Sequence, residues 1–304
     1  MTDPSGRTLA AALACCAALA AASGPALAQS EACLGQGQRK VLLDEALLVL
    51  TEPLGVENQL AVYDCTPLVR EPGVLYKLTS IELGLSSYLA PAYANLGAFL
   101  RVTPLSFLRL KAEAMAVGYW PFPLDAAGYF PVSGDSARFS GKDLPASRAG
   151  SAGGIEASLE ATLRLELALA DWAGVALQDV FATEYWHLGG APFYFNMRRD
   201  VVLASSDVLV KNTGVLLAYF KLTPSATLRV GPIDDVTVVP RSGYRAHSLG
   251  AVALLELKRV LWGGNLTPFV RLDGYLEHRF RSGVNLFFGL SGSFELGAFG
   301  SPHS

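Results

Sequence analysis

The charged side chains of this chain recur at alternate positions: Arg109, Lys111 and Glu113; Glu156, Glu160, Arg164 and Glu166; Arg229; Glu256 and Lys258; Arg271, Asp273 and Glu277. Both signs occur in similar number, often two residues apart. A spacing of two puts neighbours on one face of an extended strand. Opposite charges placed that way either pair along a wall or line a polar path with little ion preference. The chemistry expected of these residues is ion pairing and lining, not bond making.

Motifs for bond making are missing. His187 is followed by Leu188-Gly189, and His247 directly by Ser248. No G-x-S-x-G elbow, H-E-x-x-H or phosphate-binding loop spacing occurs. Asp234-Asp235 is read as a solvated pair in a loop near His247, and His278 as a residue at a membrane interface. No catalytic, cofactor-binding or metal-ligating residue is predicted, and the chain is expected not to be an enzyme. The net charge is −3 without a basic cluster, which argues against nucleic acid as a partner.

The elements that must position these charges are strands. From Ile155 to Leu169, apolar residues Ile155, Ala157, Leu159, Ala161, Leu163, Leu165, Leu167 and Leu169 alternate with Glu156, Ser158, Glu160, Thr162, Arg164, Glu166 and Ala168. That run is longer than the usual strand of about five or six residues, and it exceeds the roughly 9–11 residues a tilted strand needs to cross a bilayer. Charged residues make up 17% of the chain, against about 25% in soluble domains. Past the N-terminus, no apolar run is long enough for a spanning helix. A closed barrel is the other structure that satisfies its whole backbone in lipid.

The same alternation appears around Ile81–Ser86, Ala94–Val102, Leu108–Ala116, Leu216–Leu222, Ala226–Val230, Leu249–Lys258, Leu266–Arg279 and Val284–Leu296. Val175–His187 alternates less cleanly: Asp179 falls on its apolar phase, and a bulge near Gln178 would repair the register. Thr103-Pro104, Asp171-Trp172-Ala173-Gly174, Thr223-Pro224-Ser225 and Trp262-Gly263-Gly264-Asn265 read as short turns. Tyr119–Gly153, His187–Asn212 and Asp234–His247 read as longer loops, the second with an extra strand at Val201–Val210. Aromatics gather at strand ends (Tyr88, Tyr93, Tyr119, Trp120, Trp172, Tyr185, Trp186 and Trp262), as in the interface girdles of membrane barrels.

Over about Leu75 to Phe299 the chain resembles the Gram-negative outer-membrane β-barrel class, with no one family singled out. The resemblance implies an antiparallel up-and-down barrel facing lipid, inserted by the barrel-assembly machinery, with long loops outside the cell and short turns in the periplasm. Twelve strands are expected if the segment 41–74 forms a first hairpin around Glu52-Pro53-Leu54-Gly55, and ten if it forms a periplasmic helix. Such barrels often end on an aromatic residue. This chain ends Phe299-Gly300-Ser301-Pro302-His303-Ser304, so residues 300–304 read as a short tail. Barrel lipases and lipid A deacylases pair a His with a Ser two residues on, which neither His187 nor His247 does. Asp234-Asp235 with His247 only imitates the acidic pairs and His of omptin-type proteases.

Residues 1–28 read as a cleaved export signal, with Arg7 before an Ala-rich apolar run and Ala26-Leu27-Ala28 before Gln29; residues 29–40 follow as a periplasmic segment. Cys33 and Cys65 remain for one disulfide or two free thiols. The functional expectation is a narrow outer-membrane pore or solute channel passing ions or small solutes. The alternatives are an occluded structural or surface-presenting barrel, an outer-membrane lipid hydrolase or protease, and a soluble periplasmic β-barrel binding protein.

Overall fold

The computed structural model describes residues 38–51, 54–69, 75–76, 78–122, 128–132, 150–279 and 281–299. Its strands are β1 (Arg39–Thr51), β2 (Leu54–Pro67), β3 (Ser80–Ala90), β4 (Tyr93–Leu105), β5 (Leu108–Tyr119), β6 (Phe130–Val132), β7 (Ala152–Ala170) and β8 (Ala173–Leu188). The chain continues with β9 (Phe193–Asn196), β10 (Val201–Ala204), β11 (Ser206–Thr223), β12 (Ala226–Val239), β13 (Tyr244–Leu257), β14 (Asn265–Glu277) and β15 (Val284–Phe299). Twelve of these close into one antiparallel barrel in the order β1-β15-β14-β13-β12-β11-β8-β7-β5-β4-β3-β2. The other three form a small sheet, β10-β9-β6.

Closure is made by β1 against β15, from Arg39↔Phe299 to Leu50↔Phe287. It leaves no unpaired strand edge, which is what lets a sheet sit in lipid. Within the segment 41–74, β1 and β2 pair as the first hairpin, and the described residues 41–51 and 54–67 are strand, not helix. On β1, Leu42 and Leu48 are buried inside, and Asp44 between them accepts hydrogen bonds from Tyr63 Oη and Ser293 Oγ. The strand begins at Arg39, within the segment read as periplasmic. Cys65 is buried on β2 and disulfide-bonded, while its expected partner Cys33 lies outside the described residues, as do the signal and the tail.

The pleat sorts the two phases. Ile155, Leu159, Leu163, Leu165, Leu167 and Leu169 of β7 are exposed on the outer wall, with Leu83 and Leu85 of β3 and Leu96 of β4 on the same face. Glu156 and Thr162 of β7 are buried inside, as are Arg109 and Glu113 of β5.

Several expectations change. The reversal after β4 is at Ser106-Phe107, because Thr103 and Pro104 stay in the strand, which has a register shift between Val102 and Leu105. No bulge forms near Gln178: the β7–β8 register runs unbroken through Arg164↔Gln178 and Leu163↔Asp179, so Asp179 does face outward. Asp234–His247 is mostly strand, and the pleat sends Asp234 and Asp235 to opposite faces. Of the aromatics assigned to the girdle, Trp120, Trp172, Tyr185 and Trp262 are exposed on the outer wall or its rims, whereas Tyr88, Tyr93, Tyr119 and Trp186 are buried inside. Position at a strand end does not fix the face; the phase of the pleat does.

One rim carries the start of β1 and the end of β15, with the reversals Ser106-Phe107, Asp171-Trp172 and Pro224-Ser225. The opposite rim carries the end of β5, the start of β7 and the segment 189–205, and is called the loop end below.

Candidate functional site in the barrel lumen

The segment between β8 and β11 does not stand out in solvent. It turns back as the hairpin β9–β10, pairing Asn196↔Val201 to Phe193↔Ala204, and β6 adds to it through Phe130↔Phe195. Tyr194, Val201 and Leu203 are buried in one cluster with the inward residues Tyr93, Val117, Tyr119, Trp186, Leu188, Leu209, Val239 and Tyr244. The lumen at the loop end therefore has an apolar core like that of a soluble domain. The inward aromatics Tyr93, Tyr119 and Trp186 are its wall.

At the hairpin tip, Met197-Arg198-Arg199-Asp200 makes the turn. Asn196 Oδ1 accepts the Arg199 amide at 3.1 Å, and Asp200 has φ 55°, a left-handed conformation that Asp tolerates better than most side chains. The turn delivers three charges into the barrel. Arg198, 4% exposed, donates through Nη1 to Glu156 Oε1 and Oε2 at 3.0 and 2.8 Å. Its Nε lies 3.5 Å from Glu57 Oε2, and its guanidinium stacks 3.7 Å from the centre of the Tyr88 ring. Arg199 pairs with Glu184, Nη2 to Oε1 at 2.6 Å and Nε to Oε2 at 2.7 Å. Asp200 accepts from Arg281 Nε and Nη2 at 2.6 and 2.8 Å and lies 3.2 Å from His278 Nε2.

The acids are themselves held. Tyr93 Oη and Gln59 Nε2 donate to Glu57, Asn95 Nδ2 to Glu156, and Trp186 Nε1 to Glu184. The tip thus ties β2, β7 and β8 to the segment after β14 on the far side. Burial alone would push the Asp200 carboxyl up, but hydrogen bonds from His278 and Arg281 and their charge outweigh it and hold the group below its ordinary range.

Beneath the tip is a cavity of about 260 Å³ lined by Asp44, Arg101, Arg109, Lys111, Glu113 and Glu160, among others. Arg101 on β4 pairs with Glu82 on β3, and lies 3.9 Å from Asp44 on β1. Arg109 meets Glu160 at 3.3 Å, and Lys111 meets Glu113 at 2.9 Å. On the far wall Arg271 joins Asp235 at 3.1 Å and Asp273 at 2.6 Å. The wall of β11–β14 below is apolar: Val215, Leu217, Tyr219, Ile233, Val252, Leu254 and Phe269 pack there with Leu48.

Of the charges singled out in the sequence, Arg109, Lys111, Glu113, Glu156, Glu160, Arg271 and Asp273 line this lumen. Arg164 stands on the inner phase opposite Gln178. Arg229 bridges Glu166 at 3.0 Å and Glu256 at 2.9 Å near the terminal rim. Lys258 lies just past β13, with its amide bonded to Ser225. Glu277 is not in the lumen: the β13–β14 register shifts between His247 and Ser248, and its exposed carboxylate faces Arg245 at 4.0 Å on the loop-end rim. His278, read as interfacial, is buried between Tyr244 and Asp200.

Sequence reasoning missed Glu57, Glu184, Arg198, Arg199, Asp200 and Arg281. The run Arg198-Arg199-Asp200 inside an otherwise apolar loop was the available signal. It also missed that His187 Nδ1 lies 2.6 Å from Ser206 Oγ on the outer wall, since the two are distant in sequence and meet only through the β8–β11 register. Among the described residues, no carboxylate is hydrogen-bonded to His187.

No family model and no curated protein matches this chain. Solved structures that align with most of it are outer-membrane β-barrels. The β domain of the Bordetella autotransporter BrkA aligns over 85% of this chain and 98% of its own, at 10% identity and TM-score 0.46. The translocator domain of NalP from Neisseria meningitidis aligns over 86% and 88%, at 11% and 0.41. The KdgM porin aligns over 84% and 99%, at 9% and 0.35.

Proposed function

We propose that this chain is an outer-membrane barrel closed at rest by its own β9–β10 hairpin. The observation that carries this reading is Arg198, drawn from a loop into the barrel and buried between Glu57 and Glu156. The outward rows of leucine support lipid as the medium around the wall, with insertion by the barrel-assembly machinery as for other barrels. An open pore would need the apolar cluster around Tyr194 to part.

Displacing the hairpin would give a solute path. Mixed ion pairs surround the cavity beneath it, and such pairs rehydrate when opened, which makes a charged seat more reversible than a dry one. A second reading, a gated channel for small solutes, rests on that cavity. Neither reading assigns the barrel a reaction: His187 and Ser206 have the proximity of a base and nucleophile, but among the described residues no carboxylate is hydrogen-bonded to His187 to orient it.

The test is planar-bilayer recording of the full chain beside a variant lacking residues 193–204. The reading expects a silent wild type and a conducting variant. Stable conductance steps from the folded wild type would remove it.

A further inference from the structure

Two buried side chains of the lumen turn polar groups toward one space and find nothing there to bind. Arg109 on β5 is 5% exposed and Gln178 on β8 is 1% exposed, and both line the cavity beneath the hairpin tip. Arg109 uses only Nη2, at 3.3 Å from Glu160 and 3.5 Å from Thr162. Its Nε and Nη1 have no hydrogen-bond partner among the described residues, and neither amide atom of Gln178 has one. Buried polar groups are normally satisfied, because leaving them unmet costs their full desolvation.

The strands bring the two together. β5, β7 and β8 are neighbours, with Arg109 opposite Thr162 and Thr162 opposite Val180, one inward step from Gln178. Gln178 itself stands opposite Arg164. The charge around them leans positive. The strongest charged neighbour of Arg109 is Arg101, ahead of Glu160; those of Arg164 are Arg109 and Arg101, ahead of Glu160 and Glu82. Glu160 is also shared, since the register sets it opposite Lys111.

Water in the cavity would satisfy Gln178 but leave three guanidinium groups repelling one another away from bulk solvent. An anion relieves both. We propose that this cavity is a binding site for a small oxyanion that carries a hydroxyl, as hydrogen phosphate and short hydroxycarboxylates do. Its charged oxygens accept from the idle nitrogens of Arg109 and from Gln178 Nε2, and its hydroxyl donates to Gln178 Oε1. A volume of about 260 Å³ holds either ligand with a few waters. The site rests on the reading of this cavity as a solute seat, and it gives that solute a charge and a class.

The full chain is refolded into lipid nanodiscs with labelled phosphate, or labelled glycolate, present throughout, so that slow passage past the hairpin does not decide the result. Sulfate, which has no hydroxyl at neutral pH, and acetate, which is glycolate without one, are the competitors at equal ionic strength. Equilibrium dialysis should show saturable uptake, one anion per chain, displaced by the unlabelled ligand at concentrations at least tenfold below those of sulfate or acetate. The arm that saturates tells phosphate from hydroxycarboxylate. Gln178→Leu and, separately, Arg109→Gln should each weaken uptake by about tenfold or more, while Arg229→Gln near the terminal rim leaves it unchanged. Heat-modifiable gel mobility confirms that each barrel is folded. Without anion, Gln178→Leu should unfold in urea no earlier than the wild type, since its side chain gives up no bond within the chain. The site is overturned by a folded wild type with no saturable uptake, by sulfate or acetate displacing as well as the ligand itself, by uptake indifferent to Gln178→Leu, or by a Gln178→Leu barrel that loses stability along with uptake. Conductance of the variant lacking residues 193–204 judges the channel separately: conduction there, with neither anion taken up by the full chain, removes the site and keeps the channel.

Discussion

Arg198 sets one guanidinium nitrogen 3.0 and 2.8 Å from the two oxygens of Glu156, although one residue belongs to a hairpin tip and the other to the barrel wall. Both are nearly fully buried. The contact is a latch across the lumen, and its cost when half removed is the first expectation. Breaking one partner of a buried pair costs about 3–5 kcal/mol. Arg198→Met should thus raise the open fraction of the barrel by roughly two to four decades, read as single-channel openings in planar bilayers. The double variant Arg198→Met with Glu156→Gln should recover part of the closure, since no charge is left stranded.

The two faces of β7 make the second expectation. Leu163 is exposed on the outer wall, and Leu163→Arg should cost roughly 2–4 kcal/mol at mid-bilayer depth. Thr162→Arg first looks like the mild inward counterpart. Thr162 is instead fully buried, with Arg109 Nη2 at 3.5 Å, so a second cation there would crowd the first. Ser158 is the sounder control. It stands inside, in register with Glu113 on one side and Glu184 on the other, so Ser158→Lys meets acids. Urea unfolding in lipid vesicles checks both, and equal losses would sink the face assignment.

Acid should loosen the tip. The Asp200 carboxyl titrates below its ordinary 3.8 in the folded chain because His278 and Arg281 outweigh burial. A lowered folded value means docking is fully supported above the unfolded value and is lost as pH falls through the folded one. Hairpin protection from protease added at the loop end should hold from neutrality to about pH 4 and fail below it. Asp200→Asn should show weaker protection at neutral pH and a flatter acid limb.

Much of the barrel was legible because period-two alternation survives wherever one face meets an apolar medium. Ile155–Leu169 and the strands around Ala98 and Leu255 read correctly for that reason. The β9–β10 hairpin was legible only in part: a strand was expected at Val201–Val210, which the structure divides between β10 and β11, but Tyr194, Val201, Val202 and Leu203 are apolar on both phases, as in any buried strand, so neither β9 nor its place in the lumen could be read. Asp179 looked like an error of register because the outer wall was taken to be uniformly apolar. The lumen charges could be placed on the inner face, but not their partners. Glu57, Glu184 and Arg198 meet through strand order and a folded-back loop, which no local spacing encodes.

Trp186 and Trp262 look alike in the sequence, each at a strand end, yet one is fully buried inside and the other is 92% exposed at the terminal rim. Trp186 donates to Glu184, which holds Arg199, so it belongs both to the apolar core of the plug and to its charged seat. Trp186→Ala should cost about 3–5 kcal/mol as a large core truncation, and should loosen the hairpin with it. Trp262→Ala should cost far less, since it removes only contact with the interface and with Phe294. Brominated lipids separate the two directly. In single-tryptophan variants that keep one of Trp120, Trp172, Trp186 or Trp262, bromine in the acyl chains or headgroup region should quench Trp172 and Trp262 and spare Trp186. Quenching of Trp186 to the same degree would mean that the loop-end lumen is not closed to lipid, and the plug would have to be abandoned.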